Sequence, residues 1–251
     1  MEEEKLKLIK EALIDQKNIF GDSLFTKINL SSLSDLENKA EYNTEEQVKV
    51  VMEKQEKLID IEFQKAQSLD ELNNLICHCE KCPLGKTRTK FVFGTGNPNA
   101  DVMIIGEAPG ADEDRQGEPF VGRAGKLLND ILKAINFERE EVFIANILKC
   151  RPPSNRNPLP SEMEICMPYL YKQIELIKPK MILSLGLISS TGLLGQKLSL
   201  TQMRGNTYDF NGIKLMVTYH PAALLRNPNW KRGCWEDVQK FRKIFDELKS
   251  E

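Results

Sequence analysis

The 251 residues are 41% hydrophobic and 29% charged, with a formal net charge of −2. That balance fits one sizeable globular domain with an appendage, and excludes both a disordered chain and a uniformly basic nucleic-acid binder. No apolar run is long enough to cross a bilayer and the N-terminus (MEEEKLKLIKEALID) lacks a signal-peptide core, so a cytoplasmic protein is expected.

The charge is unevenly spread. Residues 1–70 hold 16 acids and 10 lysines and no arginine, whereas residues 71–251 hold 21 acids against 25 lysines and arginines. Arginine suits planar, bidentate contact with phosphate, so the second part can face a polyanion although the whole chain does not. Within the first part, 2–20 and 45–67 show helical periodicity with Glu/Lys neighbours at helical spacing, and Asn43-Thr44-Glu45-Glu46 caps the second segment. We read 1–70 as a charged helical extension without chemistry of its own, and 71–251 as the functional domain. A further helix begins at Ser68, where Ser68 and Glu71 make a capping box, and runs into Cys77.

Beyond Cys77 strands and helices alternate. Val102–Ile105 reads as a buried strand, followed by an acidic loop and a helix over Arg123–Ile135. Val142–Asn146 is the next strand. A Pro-rich loop, Arg151–Pro160, leads to a helix over Ser161–Ile177 with a capping box at Ser161 and Glu164. Strands over Met181–Leu185 and Ile213–Tyr219, a short helix over Leu187–Leu194 and a closing helix over Trp235–Leu248 complete the pattern. It predicts an α/β fold, a three-layer αβα sandwich with a central, mainly parallel sheet. In such a sheet the C-terminal strand ends share one rim, where ligands bind. Glu107, Asn146, Gly186 and His220 all fall on that rim, and Phe120 lies in a polar loop beside it.

Six cysteines without a secretion signal do not suggest disulfides. Cys79-x-x-Cys82 has the spacing of a metal knuckle, and Cys150 with Cys166 makes a second pair. Four thiolates would close a structural zinc site or hold an iron–sulfur cluster, and spacing does not choose between them. Cys77 and Cys234 are left over, and His78 is a neighbour of the knuckle.

Together these residues make the chain resemble the family 4, iron–sulfur uracil-DNA glycosylases. The likeness runs from about Cys79 to the C-terminus. It rests on Gly-Glu-Ala-Pro-Gly (106–110), Pro-Phe-Val-Gly-Arg-Ala-Gly (119–125), Asn-Ile-Leu-Lys-Cys-Arg-Pro-Pro (146–153) and His-Pro-Ala-Ala-Leu-Leu-Arg-Asn-Pro (220–228). Ala108 stands where many members have glycine. The segment after Gly122 lacks the His-containing insert of a related branch that becomes trapped on uracil, so turnover is expected.

The resemblance implies a [4Fe-4S] cluster on Cys79, Cys82, Cys150 and Cys166 with a structural role and no redox step. It implies a monofunctional enzyme that flips uracil out of single- or double-stranded DNA and hydrolyses its N-glycosidic bond. Gly106, Phe120, Asn146 and His220 would bind uracil, with Glu107 and His220 catalytic. Leu225, following Leu224, would act as a wedge with the cation Arg226. Arg88, Arg151 and Arg156, with Lys86 and Arg232, would contact phosphates. A monomer is expected, with a sliding clamp as a candidate partner and no membrane. The competing reading is a non-catalytic nucleic-acid-binding or polymerase-associated module on a four-cysteine zinc site.

Overall fold

A computed structural model describes residues 61–250. The predicted helices at 2–20 and 45–67 and the cap at Asn43 lie outside the described residues, apart from the end of the second. After a 3-10 turn (Ile61–Lys65) come α1 (Leu69–Ile76), α2 (Leu84–Thr87), β1 (Thr95–Gly96), β2 (Val102–Gly106), α3 (Ala111–Gln116), α4 (Arg123–Ala134) and β3 (Phe143–Asn146). The chain continues through α5 (Pro160–Ile177), β4 (Met181–Leu185), α6 (Leu187–Leu194), α7 (Leu200–Met203), β5 (Thr207–Phe210), β6 (Ile213–Thr218), α8 (Pro221–Arg226) and α9 (Lys231–Ser250). Among the described residues no helix is long and apolar enough to cross a membrane.

The sheet order is β1-β3-β2-β4-β6-β5. β3, β2, β4 and β6 are mutually parallel, and β1 and β5 pair antiparallel at the two edges. β2, β3 and β4 are buried along their whole length, which explains why they read as continuous apolar runs and not as alternating ones. Alternation instead sorts side chains between two cores. Met103, Ile105, Phe143, Ala145, Ile182, Leu215 and Val217 face one layer with α1 and α5. Val102, Ile104, Ile144, Leu183 and Met216 face the other, against Leu128 and Leu132 of α4 and Val238, Phe241 and Phe245 of α9. The predicted three-layer sandwich is the fold observed. Phe63 and Ala66 are buried in the first core, so the folded unit takes in residues from about Ile61, ahead of the 70/71 boundary read from the sequence.

Three local expectations are corrected. The segment after Gly110 is a short helix and not a loop: Gly110 is extended at the N-cap, the Glu113 carboxylate accepts from its N–H, and Gly117 closes α3 at φ 86°. α5 starts at Pro160 and not at Ser161, because a proline ring is already set for the first helical position. Its box is closed by Glu162, which accepts from Leu159 N–H at 2.8 Å, so Glu164 has no such role. Ser68 caps α1 as expected, with Glu71 N–H donating to Ser68 Oγ at 3.1 Å, but the box does not close: the Glu71 carboxylate accepts from Gln67 N–H at 2.7 Å and not from Ser68.

Candidate active site

Parallel register sets Gly106 of β2 opposite Asn146 of β3, and Glu107 leaves the sheet immediately after. Gly186 follows β4 and His220 follows β6 by two residues. Between these ends lies a cleft of about 330 Å³ whose walls include Glu107, Phe120, Asn146, His220 and Arg226. A roomier hollow of about 540 Å³ beside α4 and α9 contains no strand-end residue, so size alone does not mark the site. Convergence of polar groups at the carboxyl rim does.

Phe120 is buried and carries a left-handed backbone, φ 54°, which is strained for a bulky residue. The surrounding loop over-determines it. Glu113 accepts from Gly110, Val121 and Gly122 N–H at 3.0 to 3.1 Å, and Arg139 Nη2 donates to Pro119 O at 2.6 Å. A Cβ on Gly125 would run into the Phe120 carbonyl, so α4 can lie this close only with glycine there. The ring then sits 5.4 Å from the His220 ring, tilted by 31°. A Cβ on Gly106 would overlap both the Phe120 ring edge and Asn146 Oδ1, so glycine is what lets ring and amide share one space.

Asn146 is 2% exposed, and its Oδ1 is the buried side-chain acceptor left without a hydrogen-bond partner among the described residues. Leaving such a group unpaired costs about 1–3 kcal/mol. The cost is explained if a ligand donor completes it. His220 receives Ala222 N–H on Nδ1 at 3.1 Å, which places the proton of the neutral ring on Nε2. Burial, then the charge of Arg226, holds its pKa down at about 4, so the ring is neutral at ordinary pH. Burial also raises the Glu107 carboxyl above its ordinary range.

The residues expected on a nucleic-acid face are placed less uniformly. Leu225 is exposed and Arg226 lines the cleft, but Leu224 is buried in the second core, so the wedge is one leucine and not two. Arg151 is tied through Nε to Asn155 Oδ1 at 2.8 Å. Arg156 lies at the cleft wall with a bidentate grip on Glu162, at 2.6 and 2.9 Å. Arg88 is directed inward: it donates to the carbonyls of Cys77 and Cys79 and to Cys150 Sγ at 3.4 Å.

Arg88 thereby organises the cysteine site. Cys150 and Cys166 are buried, Cys79 and Cys82 half-buried. Burial is what chiefly raises the Cys150 and Cys166 thiols; the charges of Cys82 and Cys79 add to the first and those of Cys150 and Cys79 to the second, so the sulfurs feel one another. Lys149 N–H donates to Cys166 Sγ at 3.3 Å, and Tyr169 Oη meets Cys79 Sγ at 3.3 Å. No three metal-ligating side chains among the described residues converge on a single ion. Cys77 turns back to Asn74 O, and Cys234 lies in the second core near Thr218 and Asp237.

Several contributions were not legible in the sequence. Glu113, with Asp114, stands behind the 106–110 motif of the resemblance, but its hold on Val121 and Gly122 leaves no sign there. Arg139, on the connection after α4, left no local signal. Lys149 is fully buried, with Nζ donating to Asn146 O at 2.9 Å and to Gln173 Oε1 at 2.6 Å. Gln173 Nε2 in turn donates to Phe93 O at 3.0 Å, so this chain of bonds joins the rim end of β3 to α5.

Comparison with known proteins agrees with this geometry. A family model described as the uracil DNA glycosylase superfamily matches residues 93–249. A type-4 uracil-DNA glycosylase of Archaeoglobus fulgidus is 41% identical over 186 residues, covering 71% of this chain and 94% of that protein. One of Saccharolobus solfataricus is 46% identical over 193 residues, covering 73% and 88%. One of Thermotoga maritima is 40% identical over 184 residues, covering 72% and 96%. With the strand-end cleft and the four neighbouring thiols in place, the chain belongs to the uracil DNA glycosylase superfamily, among its type-4 members.

Proposed function

We propose that this protein removes uracil from DNA by hydrolysing the bond between the base and deoxyribose, leaving an abasic site. The observation that carries this reading is the orphaned Asn146 Oδ1 at the wall of a cleft shared with Phe120 and His220. Uracil presents N3–H to that oxygen and O4 to the amide nitrogen. Cytosine presents an acceptor and a donor in the reverse order and is rejected. Phe120 stacks on the ring, a contact indifferent to base identity.

Chemistry follows from charge development. As the glycosidic bond breaks, electrons move onto the base and the sugar becomes oxocarbenium-like. The Nε2–H of His220, left free by the Ala222 contact to Nδ1, donates to uracil O2 as that charge grows. A neutral ring is the suitable donor, because it needs no proton from solvent across the neutral range. Glu107 orients the attacking water and offsets positive charge on the sugar. Leu225 fills the gap left by the flipped nucleotide, and Arg226 and Arg151 hold phosphates. Arg156 and Arg88 have weaker claims to DNA, since Glu162 and the cysteine knuckle already engage them.

The four thiols fit a [4Fe-4S] cluster. Burial pushes the Cys166 thiol up to about 12, so a bare site would stay protonated, and coordination is what would draw out the thiolates. The sulfurs meet N–H and O–H groups of Arg88, Lys149 and Tyr169, as cluster ligands commonly do. When bound, the cluster ties the knuckle before β2 to the loop and helix after β3, a structural service.

The test is a uracil-containing oligonucleotide incubated with protein and then treated with alkali. Strand cleavage that slows by about 10²- to 10³-fold in Asn146→Ala and also falls in His220→Gln is expected. Intact DNA at large protein excess would overturn the proposal and favour the non-catalytic binding module.

A further inference from the structure

We infer that Trp230 is a stacking platform for a DNA base beside the extruded nucleotide; this rests on the function proposed above. From Arg226 to Arg232 seven consecutive residues, Arg-Asn-Pro-Asn-Trp-Lys-Arg, are exposed, with three cations and no acid. In their midst the Trp230 indole is 42% exposed, a large apolar face left to solvent. The indole is not loose. Its other neighbour is the Tyr219 ring, stacked at 5.2 Å and 19°, and Tyr219 is itself covered by the Arg204 guanidinium at 5.0 Å from its centroid. Arg204 is fixed by two bonds of 3.0 Å to Asp237 and one of 2.6 Å to Gly233 O, and Asp237 accepts from Thr218 Oγ1 at 2.8 Å.

This stack links the exposed indole to the end of β6, one residue before His220. The 3-10 turn bearing Trp230, Pro228–Trp230, also packs against α8, whose exposed Leu225 enters the duplex in the proposed function. An aromatic already held in place loses little freedom on binding, so its contact energy is retained as affinity. The chemistry that fits is a polyanion carrying flat apolar faces. Lys231 and Arg232, exposed on the first turn of α9, serve the phosphates, and the indole serves a base of any identity. Exposed aromatics also mark protein-binding surfaces, but three cations within seven residues, Arg226 at the cleft wall among them, favour DNA, even with Arg232 paired to Glu236 at 3.2 Å.

The chain has two tryptophans, so Trp235→Phe leaves Trp230 as the sole indole reporter. In that background, titration with single-stranded DNA lacking uracil is expected to quench the fluorescence. Trp230→Ala is expected to raise KM for a uracil oligonucleotide about tenfold with kcat retained. Trp230→Phe should recover most of the loss. Unquenched fluorescence and an unchanged KM, in protein that still excises uracil, would overturn the platform and assign the face to a protein partner. Quenching by DNA in protein that excises no uracil would instead sink the proposed function and leave the indole's contact standing.

Discussion

At the cleft, side chains from segments spread between Glu107 and His220 meet, one buried acceptor is unpaired and one aromatic has a strained backbone. At the cysteine site the sulfurs come from the knuckle, the loop after β3 and α5, and three of the four have a hydrogen-bonding neighbour in Arg88, Lys149 or Tyr169. The contrast separates a site built to receive a ligand from one built to hold the fold. A receiving site keeps a polar group unanswered and supports it from behind, here through Glu113, Arg139 and Lys149. A holding site answers its own groups, so a change there is felt first as lost order.

The comparison can be broken by experiment. The largest effect should come from Asn146→Ala, with single-turnover excision falling by about 10²- to 10³-fold, the range for loss of one preorganised polar group. Its melting temperature should be held, because the deleted oxygen makes no native hydrogen bond; a large drop in melting temperature would show that Asn146 belongs to the framework. Arg88→Ala should do the opposite: about 10- to 100-fold weaker retention of iron, read as faster bleaching of visible absorption under a chelator. Freshly loaded protein should keep its rate on uracil. If the rate fell and the absorption stayed, Arg88 would belong to the DNA face after all.

The smallest effect concerns His220 and pH. Its folded pKa, about 4, lies below the ordinary value of 6.5. Between those values the unfolded chain takes up a proton that the folded ring refuses, so stability is complete above pH 6.5 and lost as pH falls towards 4. By pH 5 this amounts to roughly 2 kcal/mol. Urea unfolding of wild type and His220→Gln at pH 7 and pH 5 measures it: the gap between the two proteins should shift in favour of the variant at pH 5. A gap that does not move would mean the ring is solvated and not locked by Ala222.

Much of this was legible in the residues themselves. β4 and α6 occupy Met181–Leu185 and Leu187–Leu194, the predicted ranges, because buried strands and glycine-bounded helices leave strong local patterns. The edge strands β1 and β5 escaped, being short and partly exposed, so neither run length nor alternation identified them. Arg88 was misplaced for a different reason: a basic residue near a knuckle looks the same whether its guanidinium turns towards phosphate or towards carbonyls. The same ambiguity hid the burial of Leu224 beside the exposure of Leu225.

Local chemistry therefore determined the layers, the rim of strand ends and the Cys79-x-x-Cys82 knuckle, since period, turn residues and spacing are properties of neighbouring residues. Only the tertiary structure decided that Asn146 Oδ1 is unpaired, that His220 carries its proton on Nε2, and that Arg88 and Lys149 face inward. Those facts depend on which distant groups come within about 3 Å, the range of a hydrogen bond. No pattern along the chain encodes that distance.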